Sequence, residues 1–175
     1  HRNRHVAVGT GAVKIVQVQT QAEAGGAQRV SDMVGQGLRE RGHQVRTVFM
    51  YRKTNVYDAD PHADFALCER PRGIVGQVRA ALALISYMRR EKPDAVISYQ
   101  HFGNVFGTMA GRLAGAKILL ANQSGAPFTK GLPAVASLID KLMGTIGLYG
   151  YSVVNSAWTE RQFAHYPQPY RRRLR

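Results

Sequence analysis

The residues best suited to chemistry in this chain are Gly25-Gly26-Ala27-Gln28-Arg29. They follow an alternating apolar run, Val13-Lys14-Ile15-Val16-Gln17-Val18, and precede a stretch with helical spacing. The order is therefore strand, glycine loop, helix start. The first backbone N–H groups of a helix have no partner inside it, and the helix dipole favours negative charge there. Paired glycines let a phosphate approach that backbone closely. The chemistry implied is capture of a phosphorylated ligand. The loop is not the dinucleotide fingerprint, because no third glycine stands at the required spacing. It is not a Walker-type loop either, because no Gly-Lys-Ser/Thr follows. The competing reading is a plain strand-to-helix turn.

The elements that must position this loop alternate along the chain. Val13 to Gln19 reads as a strand, and Ala27 to Arg41 as a helix with Val30, Met33, Val34 and Leu38 on one face. His43 to Tyr51 alternates again, with Val45, Val48 and Met50 as candidates for burial. Arg52 to Pro71 is polar, with one short strand around Phe65-Ala66-Leu67. Ile74 to Arg90 is an amphipathic helix presenting Ile74, Val78, Ala81, Leu82, Ile85 and Met88. Asp94 to Tyr99 is a short apolar strand, and Phe102 to Leu113 a Gly- and Ala-rich helix suited to close packing on a sheet. Lys117 to Ala121 is a further strand. Ala134 to Tyr149 is a helix carrying Val135, Leu138, Ile139, Leu142 and Ile146. Tyr151 to Asn155 is the last strand, and Ser156 is placed to cap a helix over Ala157 to His165 with Glu160 in its first turn. Such alternation predicts an α/β protein with a Rossmann-like open parallel sheet and helices on both faces. Ligands of such sheets bind beyond the carboxyl ends of the strands. The glycine loop, Gln100-His101 and Asn122-Gln123-Ser124 all stand at such ends.

Composition narrows the class. The chain has 175 residues, of which 45% are hydrophobic, enough for one domain with its own core. His1 to Ala12 reads as a leader or disordered segment, and the domain runs from Val13 to Arg175. Cys68 is the sole cysteine, which excludes an internal disulfide and a cysteine-rich zinc site; a buried thiol is the expectation. No His/Asp/Glu cluster has metal-ligand spacing, so no metal is demanded. The net charge of +13 attracts anions of several kinds. No basic stripe interleaved with aromatics and no nucleic-acid motif appears, which argues against nucleic acid as the partner. No apolar run is long enough to cross a membrane, and no signal peptide is evident.

Several segments, in order, resemble the N-terminal, acceptor-side domain of a family-4-type retaining glycosyltransferase with the GT-B fold. Gly25-Gly26-Ala27-Gln28-Arg29 resembles that family's Gly-Gly-Ala-Glu-Arg loop, with Gln28 in place of the commoner Glu. Leu38-Arg39-Glu40-Arg41-Gly42-His43-Gln44-Val45 resembles its first helix end and second strand. Lys92-Pro93-Asp94-Ala95-Val96-Ile97 resembles the start of its central strand. Val153-Val154-Asn155-Ser156-Ala157-Trp158-Thr159 resembles the segment before the interdomain link, and Tyr166-Pro167 with Arg171-Arg172-Arg173-Leu174 the run-in to that link. The resemblance covers about Val13 to Arg175.

The resemblance implies one half of a two-domain enzyme that moves a sugar from a nucleotide-sugar donor to a hydroxyl of a carbohydrate or lipid-linked acceptor, with retention. The missing C-terminal domain would hold most of the donor, so turnover by this chain alone is not expected. Gly25, Gly26 and Arg29 would sit near the donor diphosphate, which serves as co-substrate; no cofactor is implied. His101 would face the cleft and contact the donor sugar or a developing charge, as the catalytic candidate, with Tyr99, Gln100 and Asn104 as weaker alternatives. Asn122, Gln123 and Ser124 would hydrogen-bond the acceptor, although turn chemistry favours the same residues. Gln28 reads as a solvated or capping side chain. The resemblance places the protein in the cytoplasm. The helix Ala134 to Tyr149, with Lys130 and Lys141 nearby, could lie on the inner face of the membrane; its competing reading is a core-facing helix. The alternative to an enzyme is a stand-alone Rossmann-like module that binds a phosphorylated ligand or a protein partner.

Overall fold

The computed structural model describes residues 11–123 and 134–175. Six parallel strands form one sheet: β1 (Lys14–Ala22), β2 (Gln44–Arg52), β3 (Ala63–Leu67), β4 (Ala95–Tyr99), β5 (Ile118–Gln123) and β6 (Tyr151–Val154). Their spatial order is β3-β2-β1-β4-β5-β6. The helices are α1 (Gly26–Glu40), α2 (Gly73–Glu91), α3 (His101–Leu113), α4 (Ala134–Thr145), α5 (Ala157–Gln162) and α6 (Gln168–Arg171). All six expected strands are present, and the α/β, doubly covered architecture is as the alternation predicts. The expected leader lies almost wholly outside the described residues, as do Ser124 and Lys130.

The two faces of β1 differ chemically, and this decides which helix goes where. Val16 and Val18 point to one side, where with Val48, Met50 and Val96 they meet Ala80 and Leu84 of α2 and Ala110 of α3. On the other side stand Gln17 and Gln19, both fully buried. Gln17 donates from Nε2 to the Tyr99 hydroxyl at 2.9 Å and accepts from Thr47 Oγ1 at 3.1 Å. A buried amide must find partners or cost on the order of 1–3 kcal/mol. Helix α1 covers this polar strip, and it does so with Gln28, Ser31 and Gly35. The expected apolar face is therefore corrected: Val30, Met33 and Val34 are exposed.

Helix α3 lies close on the other face because three of its residues have no side chain. A Cβ on Gly107 would come within 3.0 Å of Val18, and one on Gly111 within 2.8 Å of Val96. That close approach was legible in the Gly- and Ala-rich composition. The orientation of α2 was not. It buries Ala80, Leu84, Tyr87 and Met88, while Ile74, Val78 and Leu82 stay exposed. A polar tie fixes this face: the Tyr87 hydroxyl donates to Asp64 Oδ2 at 2.6 Å, and Arg46 grips the same carboxylate at 2.6 and 2.7 Å.

Helix α4 is turned in the same way. Ala136, Asp140, Met143 and Gly144 are buried, and Val135, Leu138, Ile139 and Leu142 face outward. Asp140 accepts from the Tyr149 hydroxyl at 2.7 Å, from Gln123 Nε2 at 3.1 Å and from the Tyr170 hydroxyl at 3.3 Å. Tyr170 stacks on Phe163 in the same cluster. The core-facing reading of this helix's apolar stripe is thus corrected. At the sheet edge, Ser156 caps α5 by accepting from the Thr159 N–H at 3.1 Å, as expected. The last residues pair beside β6, with Arg175 N donating to Ser152 O at 2.8 Å.

Candidate functional site

Strand order reverses between β1 and β4. The chain leaves β1 into α1 on one face and leaves β4 into α3 on the other, so a crevice opens at their carboxyl ends. Crevices at such switch points are where open α/β sheets bind ligands. Gly25-Gly26 follows the carboxyl end of β1, and Gln100-His101 follows that of the neighbouring strand β4.

The glycine loop is held from below by glutamines. Gln19 donates to Ala27 O at 3.1 Å, and Gln28 folds back to donate to Gln21 O at 2.9 Å. Gln28 is therefore buried, not solvated. It also explains Gly25, since a Cβ there would lie 2.6 Å from Gln28 Oε1. Gly26 differs: a Cβ there would meet nothing within 4 Å. Gly25 serves the loop's own packing, whereas the space above Gly26 is open to a visitor. Helix α1 carries no side-chain cap and no acid in its first turn. Its free N–H groups thus keep their capacity for an anion. Arg29 lies exposed on that first turn. The nearby acid, Glu23, is neutralised by Lys53, whose hydrogen bond holds its carboxyl below the usual range against the opposing effect of burial.

Over β4, Gln100 adopts φ 63° and ψ 163°. Residues other than glycine rarely occupy this region, at a cost of about 1–3 kcal/mol, and such strain gathers at functional turns. It is held by two links to Thr20 of β1. Thr20 N donates to Gln100 Oε1 at 3.2 Å, and Thr20 Oγ1 accepts from Gly103 N at 3.1 Å. The strained turn delivers His101 as the first residue of α3. Burial pushes the His101 pKa down, opposed by the charge of Asp140 and a hydrogen bond to the backbone of Ala136. A depressed histidine is neutral at pH 7, so one ring nitrogen can accept a hydrogen bond.

That shift carries a stability consequence. Where the folded state binds a proton less readily than the unfolded one, stability falls as pH drops below the unfolded value, about 6.5 for histidine. Urea midpoints at pH 7.5 and 5.5 should therefore converge in His101→Gln relative to the wild type. An unchanged gap would show that His101 contributes no such term.

The remaining candidates separate. Asn122 lies at the end of β5, half-buried, and its carbonyl accepts from Asn104 Nδ2 at 3.0 Å. Gln123 faces inward and spends its amide on Asp140 and Tyr170, at 3.1 and 3.0 Å. Ser124 is outside the described residues. Tyr99 and Asn104 are buried, and the Tyr99 hydroxyl is taken by Gln17. Gly25 and Gly26 thus stand beyond the end of β1 and Gln100 and His101 beyond the end of the neighbouring β4, with Arg29 exposed on the first turn of α1. Sequence reading missed Thr20, Gln19 and Gln21. Their signal was present as glutamines at every second residue of the first strand. Cys68, expected to be buried, is exposed. Among the described residues no group of three or more His, Cys, Asp or Glu side chains could hold a metal. No described helix is long and apolar enough to cross a membrane.

No protein-family model matches the sequence, and no curated protein matches it significantly. Solved structures do match in fold. The HepE protein of Anabaena, solved with UDP and glucose, superposes at a TM-score of 0.73 and 12% identity, over 93% of this chain and 43% of that one. A lipopolysaccharide outer core galactosyltransferase, WaaB, gives 0.69 and 11%, over 93% and 44%. A UDP-N-acetylglucosamine 2-epimerase of Rickettsia bellii gives 0.65 and 12%, over 93% and 44%. The chain therefore spans less than half the length of the structures it matches. At this level of identity the likeness establishes the fold: a Rossmann-like domain of the kind that forms one half of GT-B proteins.

Proposed function

We propose that this chain is the acceptor-side domain of a two-domain glycosyltransferase that moves a sugar from a nucleotide diphosphate donor to a hydroxyl, with retention. The observation that carries this reading is the uncapped, acid-free start of α1 beside Gly26, at the switch point of a GT-B-like half. Charge builds on the leaving diphosphate as the sugar bond breaks. Preorganised N–H groups aimed at that charge stabilise the transition state more than the ground state. Arg29 adds positive charge at the rim. Neutral His101 hydrogen-bonds the donor sugar from the opposite wall, and Asn122 offers an amide to the acceptor. A second domain closes the cleft and holds the nucleotide. No metal or cofactor enters the scheme.

The enzyme works in the cytoplasm, resting on the inner face of a membrane. Support comes from the outward apolar residues of α2 and α4, among them Ile74, Leu82, Val135 and Leu138, on a chain of net charge +13. Apolar surface beside basic charge suits an anionic lipid interface.

The test supplies UDP-sugars, a hydroxyl acceptor extract and the two-domain protein, and follows UDP release with the anomeric configuration of the product by NMR. Acceptor-dependent transfer with the donor's configuration retained is expected, with the 175-residue chain inactive alone. Epimerisation of the donor without an acceptor, or UDP binding with no transfer, would overturn the transferase reading in favour of an epimerase or a binding module. Flotation with anionic but not neutral vesicles tests the membrane placement, and no flotation with either removes it.

A further inference from the structure

A second cluster of positive charge lies on the same edge of the sheet as the glycine loop. Ala22, at the end of β1, pairs with Arg52 of β2, and Tyr51 pairs with Leu67 of β3. The chain then runs through Cys68, Glu69, Arg70 and Arg72 into α2. These residues and Arg52 line an open cavity of about 600 Å³. An adjoining cavity of about 320 Å³ shares Arg70 and Arg72 and adds Arg79.

The arginines differ in what they are free to do. Arg52 is committed: its guanidinium meets Asp58 at 2.8 and 2.5 Å and lies over the Phe65 ring, 5.3 Å from the centroid. It forms a fixed wall. Arg70 and Arg72 have no acidic partner among the described residues. Glu69 is the single acid in the lining. Burial raises the Tyr51 pKa, and the charges of Arg70 and Lys53 oppose it. The Tyr51 hydroxyl in turn donates to Gln21, just before the glycine loop.

Two planar guanidinium groups without partners, facing one cavity, match a phosphate by their paired N–H forks. The volume exceeds what a lone phosphate fills and suits a small molecule that bears one. The glycine loop follows β1 and is not among the residues that line this cavity, whose Arg70 and Arg72 follow β3, two strands along the sheet. We propose that the Arg52–Arg70–Arg72 cavity binds the phosphate group of a phosphorylated acceptor, as a second anion site distinct from the glycine loop. Its assignment to the acceptor rests on the transferase reading above; the anion site itself does not.

Cys68 is the only cysteine, is exposed, and lines the cavity, so it reports on occupancy. The experiment measures its alkylation by neutral iodoacetamide in the 175-residue chain at constant ionic strength. Inorganic phosphate and glycerol 3-phosphate are expected to slow the reaction about threefold or more relative to chloride, through charge-assisted hydrogen bonds to the arginines. Arg70→Gln combined with Arg72→Gln, both on the surface, should abolish the protection. Gly26→Ala should retain it. Protection by glycerol 3-phosphate points to a soluble phosphate ester. Protection by phosphatidic acid vesicles alone, with none from phosphatidylcholine vesicles, points to a lipid headgroup. No protection by any of these, or protection undiminished in the double variant, overturns the site. Loss of protection in Gly26→Ala overturns its separateness from the glycine loop. If Cys68 is protected but the two-domain protein transfers no sugar, the acceptor assignment falls and the anion site stands.

Discussion

Gly26→Ala should cut sugar transfer by the two-domain enzyme by about 100-fold while leaving the melting temperature of the chain unchanged, because it blocks an approach and disturbs no packing. The added methyl meets no protein atom within 4 Å. At the first helical position alanine is at least as favourable as glycine. The methyl would instead occupy the space through which an oxyanion reaches the N–H groups of the first turn, and loss of one such donor commonly costs about 2.7–4 kcal/mol of transition-state stabilisation. Steady-state kinetics and thermal melting of the same variant decide the matter. Full activity would reduce the loop to a plain turn. Gly25→Ala is the weaker probe, since its methyl would strike Gln28 at 2.6 Å and disturb the loop itself.

Asp140→Ala should destabilise the chain by about 3–5 kcal/mol, because it leaves three buried donors without an acceptor and opens a void. The Tyr149 and Tyr170 hydroxyls and the Gln123 amide all converge on this carboxylate. Burial and the Asp140 charge together push both tyrosine pKa values up, so in the native protein both hydroxyls stay protonated and donate to the carboxylate. Leu138→Ala, two residues away on the outward face, should cost less than about 0.5 kcal/mol. Urea denaturation of the two variants separates the orientations of α4. A large loss for Leu138→Ala and a small one for Asp140→Ala would mean the helix is turned the other way.

Helix α4 also shows what pattern reading cannot reach. Its apolar residues recur at helical spacing, and the natural inference buries them. Asp140 then looks like a solvated residue. The inference fails because burial depends on the surface that receives the helix, and that surface is assembled from Gln123, Tyr149 and Tyr170, far apart in sequence. The same holds for α1, whose receiving surface is the glutamine side of β1. The solvated alternative for Gln28 fails for the same reason: its partner, the Gln21 carbonyl, becomes reachable only once the loop has folded back. Cys68 was expected inside on the habits of its residue type, but it sits in the connection beyond β3, where the lining is arginine.

The site divides along the same line. Its glycine loop, its helix start and its placement after the first strand were written in local order, because strand alternation, paired glycines and helix periodicity are properties of neighbouring residues. So were all six strands, the close-packed third helix and the Ser156 cap. Contacts across the sheet were not local. They decided that Gly25 serves packing while Gly26 faces open space. They placed Gln100 in a strained turn held by Thr20, with His101 behind it, and drew Gln123 inward. They also turned three helices to show apolar residues outward. A parallel sheet joins residues some 80 positions apart, such as Thr20 and Gln100, and no short-range pattern encodes which of their neighbours will be polar.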